Sequence, residues 1–445
     1  MHLSPQSRKQ KLPILFYIMI SALIIEVSLS NISDIINREL ASTLGIMLFV
    51  IIYCAVAVPQ IFILNIVNKK NKEIRRDIPH LDILDKAIAI VQYVLMAIIL
   101  FSILQIIFSS FYYTSLLIIS TTISYGAAAF VMGMFSFKLL SWFSSNRSII
   151  VLFFGLGSIF ITINAVDTII FFDAILLGKQ SATSAQSEVV FAAGFPLDSL
   201  MGIVTTTQTY SVISYFILLW IGTAIILRYN IQRIGKIKFY VLVSLPLIYF
   251  LSYYFTLYST LNPPTAEPAP SSLLFLILIF GAAVIAGGVL IALAFRSIAK
   301  AVQGSSIVRY YMMLTAYGFV SFFISASATL LQAAYPPYGL VNVSTVGLSS
   351  FLIFSGLYYS AISMSQDVTL RRSVKKSTTK ELKVLDSIGK AQVDQEIEKK
   401  VLAATKHESE MLTESSGIES SLSDTEIKQY MDEVAKELKK QSGKI

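Results

Sequence analysis

Ten apolar stretches run along this chain between Leu12 and Met364, and the positive charges between them fall on alternate connections. The stretches cover 12–30, 40–66, 87–108, 114–137, 149–172, 209–227, 239–260, 273–295, 310–331 and 345–364. A bilayer core takes about 20 apolar residues per helix, and most of these segments reach that length. Of the 20 Lys and Arg before residue 366, 18 lie at the N-terminus or on segments that share its side; only Arg38 and Lys179 oppose them. Basic residues are retained on the cytoplasmic side of membrane proteins. The chain therefore reads as an all-α polytopic membrane protein of about ten transmembrane helices, with both ends in the cytoplasm. The segments are too long and too uniformly apolar for barrel strands.

Composition agrees. Apolar residues make up 55% of the chain and charged residues 14%, where soluble domains carry about 25% charge. The charge is uneven and divides the chain into a membrane domain, 1–365, and a helical cytoplasmic tail, 366–445. The tail holds 15 basic and 15 acidic residues, so the whole net charge of +8 belongs to the membrane domain. That excess points to anionic lipid at the cytoplasmic face, not to nucleic acid.

The first stretch admits a second reading. Arg8, Lys9 and Lys11, the apolar run after them and Ser28-x-Ser30 also resemble a cleavable signal peptide.

Few side chains offer chemistry. One cysteine, Cys54, excludes an intrachain disulfide or a multi-cysteine metal site, and no histidine falls within a span to ligate a haem. No cofactor is expected. Glu26 and Asp167 are the ionisable residues inside spans, where they are costly and hence candidates for function. Both lie near the outer end of their spans, with Asn164 one turn before Asp167. Glu26, Asn164 and Asp167 are thus the candidate ion or ligand site. His80 with Asp77, Asp82 and Asp85 is the cluster that could serve a lipid-directed enzyme, and a solvated amphipathic segment explains it better. Lys406-His407-Glu408 faintly resembles a kinase phospho-acceptor region, but too little chain follows for an ATP-binding domain.

Outside, the segments 173–208, 261–272 and 332–344 are long or Pro-rich. Tyr112, Tyr113, Tyr253, Tyr254, Tyr258, Tyr335 and Tyr338 gather near the outer boundary, as an interfacial belt would. Asn31 and Asn342 begin glycosylation sequons there. The 173–208 segment reads as a surface helix or a re-entrant piece. Inside, Arg371, Arg372, Lys375, Lys376, Lys380 and Lys383 follow the last span and suit anionic headgroups. Residues 380–411 are helix-prone. Residues 424–440 carry Ile427, Met431, Val434 and Leu438 on one helical face, a surface for a protein partner or self-association.

The segment Leu357–Val401, with Ser363-x-Ser365-Gln366-Asp367, Leu385-Asp386-Ser387-Ile388-Gly389 and Glu396-Ile397-Glu398-Lys399, resembles an uncharacterised family of multi-pass membrane proteins of ammonia-oxidising archaea. The resemblance implies an archaeal plasma membrane and supplies no functional residues. The leading functional expectation is a non-enzymatic membrane sensor or scaffold with a partner-binding tail; the alternative is a secondary transporter coupled to protons or cations.

Overall fold

The computed structural model describes residues 5–32, 42–74, 80–177, 181–183, 199–229, 231, 235–244, 246–247, 270–302, 305–327, 335–376 and 382–416. Among them, nine helices are long and apolar enough to cross a membrane. We number the helices α1 (Pro5–Ile32), α2 (Thr43–Ile74), α3 (His80–Ser109), α4 (Thr114–Ser145), α5 (Ile149–Leu176), α6 (Leu200–Arg228), α7 (Pro270–Ala301), α8 (Ser306–Ala326) and α9 (Leu340–Gln366). A short α10 (Val368–Lys376) and a long α11 (Lys383–Ser416) follow. Two three-residue strands, β1 (Phe111–Tyr113) and β2 (Ser181–Thr183), pair antiparallel with Tyr112 opposite Ala182. The protein is thus an all-α helical membrane protein. The expected span 239–260 falls largely outside the described residues, of which 236–244 are helical.

From α1 to α9, consecutive described helices run in opposite directions, except α6 and α7, which run the same way. One end of the bundle carries α11 and is called here the tail end; the other is the far end. The turn between α7 and α8 lies at the tail end, where Arg309 Nη2 donates to the Val302 carbonyl at 3.0 Å. The far end is marked by Tyr338, whose hydroxyl donates to the Gly45 carbonyl at the start of α2 at 2.7 Å.

Isoleucine, leucine and phenylalanine side chains such as Ile51, Phe62, Ile90, Phe101 and Phe130 are exposed along α2, α3 and α4. A water-soluble protein does not tolerate apolar surface on this scale, whereas in lipid such residues face their solvent. The core lies instead around α9, buried over nearly its whole length and enclosed by α1, α2, α3, α4 and α8 with α11 at its tail end. Small residues allow this enclosure. A Cβ on Gly356 would fall onto Thr315 and lie 2.7 Å from the Tyr311 carbonyl oxygen, and one on Gly318 would lie 2.9 Å from the Ile353 nitrogen. The crossing of α8 and α9 therefore requires glycine on both helices, as close membrane helix pairs do. Gly347 provides the same approach of α9 to α4, against the Ser124 carbonyl.

Two helix-breaking sequences are absorbed. Pro59 lies within a continuous α2. Gly287 and Gly288 lie in a continuous α7, where a Cβ would meet the Phe216 ring and the Phe323 Cβ. They serve packing, not unwinding. The 173–208 segment also resolves differently: α5 continues to Leu176, β2 pairs with β1, and α6 already begins at Leu200. Residues 184–198 lie outside the described part.

Candidate functional site

The two ends of α9 hold the polar geometry that distinguishes this bundle. A helix begins with backbone N–H groups that lack a partner, and a side-chain acceptor commonly satisfies them. α6 and α8 do this with their own serines: Ser199 Oγ accepts from Gly202 N at 3.0 Å and Ser305 Oγ from Val308 N at 3.3 Å. α9 has no such residue. Its cap position is Gly339, held at φ +96°, a left-handed conformation that glycine adopts freely. The acceptor comes from another helix. Glu26 of α1 is fully buried and its carboxylate takes the N–H groups of Gly339 at 2.5 Å, Val341 at 3.3 Å and Asn342 at 3.2 Å. The Asn342 side-chain amide donates to the same carboxylate and to the Leu23 carbonyl at 3.2 Å. A carboxylate at a helix N-terminus also meets the positive end of the helix dipole.

This placement separates the residues that the sequence groups together. Among the described residues, Glu26 and Asp167 share no hydrogen-bond partner. Asp167 lies on α5, with its Oδ2 buried and without a hydrogen-bond partner among the described residues. Around it, Asn164 Nδ2 donates to the Gln208 carbonyl at 3.5 Å, and Gln208 Nε2 donates to Thr168 Oγ1 at 3.1 Å. Equal depth in the membrane placed the two carboxylates at one level; position around the bundle keeps them apart.

The far-end tyrosines also differ from expectation. Tyr112, Tyr335 and Tyr338 are buried, with Tyr112 stacked on Tyr335 at 6.5 Å and Tyr338 edge-on to Phe49 at 5.5 Å. They close the far end rather than form a lipid-facing belt, while Tyr113 remains exposed. Burial pushes the Tyr112 hydroxyl up from its ordinary pKa, so it stays protonated. Tyr253, Tyr254 and Tyr258 lie outside the described residues. The sequon at Asn342 is fully buried and engaged with Glu26, so it is not a glycosylation site in the folded chain.

At the tail end, α11 lies against α9, α4 and α5. Leu382, Val384, Leu385, Ile388 and Ala391 are buried there, and Gly389 lets the helix settle on Met364, whose Cβ would be 3.0 Å from an added Cβ. Polar contacts fix the register. Trp142 Nε1 donates to Gln392 Oε1 at 3.2 Å, Lys138 Nζ to Gln395 Oε1 at 2.6 Å, Asn146 Nδ2 to the Ser387 carbonyl at 3.2 Å and Ser365 Oγ to Glu396 Oε1 at 2.9 Å. The contacts of Lys138, Trp142 and Asn146 exist because α4 runs on to Ser145, two turns past the predicted end of its span. The expected docking segment 424–440 lies outside the described residues; within them it is 382–396 that docks.

Comparison with protein-family models, curated proteins and solved structures gives no match.

Other sequence candidates fall as follows. α3 starts at His80, so Asp85 lies on a helix facing the bundle, not in a solvated segment; it is 3% exposed. Asp85 Oδ2 accepts from Asn71 Nδ2 and from the Tyr359 hydroxyl, each at 3.2 Å, and the Tyr311 hydroxyl donates to Asn71 Oδ1 at 3.0 Å. Asp82 pairs instead with Lys86 at 2.7 Å. Asp77 and the His80 side chain lie outside the described part. Of the basic cluster, Arg372 is exposed and Arg371 partly so, on α10, which buries Leu370 and Val374. Lys380 and the side chains of Lys375, Lys376 and Lys383 are outside the described part. Reading the spans for charge alone missed Gln60 and Gln92, buried on α2 and α3, where Gln92 Nε2 donates to Gln60 Oε1 at 2.9 Å. An uncharged amide inside an apolar run was the available signal.

Proposed function

We propose that this protein is a non-enzymatic membrane sensor or scaffold in which α9 links the far end of the bundle to the docked tail. The observation that carries this reading is the pairing of two devices on one enclosed helix. Glu26 holds its N-terminus, and α11 seats on its C-terminal turns through Ser365 and Met364. A helix held this way shifts as a unit, so a change at the far end alters the seat of α11. In this reading the tail faces the cytoplasm, the basic residues from Arg371 to Lys383 lie on anionic headgroups of the plasma membrane, and the exposed part of α11 beyond Glu396 is presented to a protein partner.

A disulfide trap tests it. With Cys54 replaced by alanine, Asn146→Cys and Ser387→Cys should cross-link in membranes, reporting the docked tail. Glu26→Gln should slow that cross-link several-fold while the protein stays folded. Equal cross-linking rates in the two backgrounds would remove the link between the ends of α9.

One observation favours a second reading, secondary transport coupled to protons or cations: the buried, unpartnered Asp167 Oδ2 beside Asn164 and Gln208. Proteoliposome uptake abolished by Asp167→Asn would support it, and uptake unaltered by that change would discard the mechanism.

A further inference from the structure

The seam between α2, α3 and α9 contains two polar layers at different depths. Near the tail end, Asn71 of α2 bonds Asp85 of α3, and Tyr359 of α9 joins them. Deeper in the bundle, Gln60 of α2 bonds Gln92 of α3. Helical geometry places these layers on the same two faces. Gln60 and Asn71 are 11 residues apart, and Asp85 and Gln92 are 7 apart. Those spacings are about three turns and about two turns, so each pair returns to one side of its helix, about 16 Å and about 10 Å along it.

Between and beside the layers, polar atoms lack partners. Gln60 Nε2, Asn68 Oδ1 and Ser355 Oγ are all buried without a hydrogen bond to any described residue. Gln60 is 1% exposed and Ser355 0%. Asn68 stands one turn before Asn71, and Ser355 one turn before Tyr359, on the same sides of their helices. Rotating both the Gln60 and Gln92 amides reverses the bond between them and still leaves one polar atom of Gln60 without a partner among the described residues. α2 and α3 also pack sparsely on one another compared with α4 on α5. Buried polar groups in a low-dielectric interior are rarely left bare, and ordered water is their usual partner.

We infer that this seam is a binding site for small, uncharged hydrogen-bonding molecules, occupied by a short file of internal water between the Asn71–Asp85 and Gln60–Gln92 layers. Gln60 donates to it, Asn68 accepts from it, and Ser355 does both. The inference is independent of the role assigned to the tail.

Two measurements test it on the full-length protein. A structure in lipid nanodiscs that resolves solvent should show water within hydrogen-bond distance of Gln60 Nε2 and Ser355 Oγ; a seam resolved and dry at both atoms would overturn the inference. The second measurement turns on a sign. If Ser355 binds water, Ser355→Ala removes a partner from the file and lowers the melting temperature by several degrees. If the hydroxyl is bare, the same change relieves a desolvated group, and the melting temperature stays level or rises, which would overturn the inference. Gln60→Met with Gln92→Met should lower it further for the same reason, and a level or raised value there counts equally against the water file.

Discussion

At the scale of single residues, Glu26 decides how the far end is built. Replacing it with leucine leaves the N–H groups of Gly339, Val341 and Asn342 buried without an acceptor. Each such group costs about 1–3 kcal/mol, so the change should destabilise the protein by about 3 kcal/mol or more, read as reversible unfolding in detergent micelles. Glu26→Gln keeps a carbonyl acceptor and should cost about half as much. Equal stability of the leucine variant and the wild type would show that α9 is held otherwise. Asn342 makes a companion prediction. Because it is buried against Glu26 and Leu23, no glycan is expected on it, and deglycosylation should produce no mass shift at its peptide. The importance of Glu26 was visible in the sequence, since a carboxylate inside a span is expensive. Its partner was not. The N–H groups that bind it belong to backbone more than 300 residues away, and backbone leaves no mark in a list of side chains. The same limit hid Asp85, which looked solvated until α3 proved to start at His80.

At the scale of elements, glycine contacts set which helices meet. Gly356→Ala places a methyl group against Thr315 and Tyr311 backbone and should cost about 1–3 kcal/mol by overpacking. Gly126→Ala on α4 meets nothing within 4 Å and should be close to neutral. Thermal unfolding of the two variants side by side provides the check; similar losses would mean that the α8–α9 crossing is looser than described. Helix positions were legible from hydropathy, because lipid demands long apolar runs. Helix lengths were not. α2, α3 and α4 extend beyond their apolar cores into polar sequence, and it is those extra turns, with Asn71, Asp85, Lys138 and Trp142, that make the tail-end contacts. The bilayer sets a minimum length for a span and no maximum for the helix that contains it.

At the scale of the whole molecule, α1 is an integral part of the bundle. Phe16 stacks on Tyr317 of α8 at 4.4 Å, and Glu26 reaches α9. This arrangement argues against the signal-peptide reading. A tag placed ahead of residue 5 should therefore stay on the purified protein, and its loss by cleavage near Ser30 would contradict the arrangement. The alternation of basic residues assigns the connections to two sides. It carried no information about which helix stands in the middle, because every span is apolar and burial among helices is chemically close to burial in lipid.

The position of α9 has a consequence for how the protein is made. α9 follows the other described apolar helices in the chain, yet α1, α2, α3, α4 and α8 are arranged around it. Until it arrives, Glu26 lacks its acceptor-seeking backbone, Ser124 lacks the Val343 carbonyl it bonds at 2.5 Å, and Asp85 lacks Tyr359. Chains generally fold from the N-terminus during synthesis, but this bundle cannot close in that order. Its earlier helices must wait in the membrane, loosely associated, for a keystone that follows them in the chain.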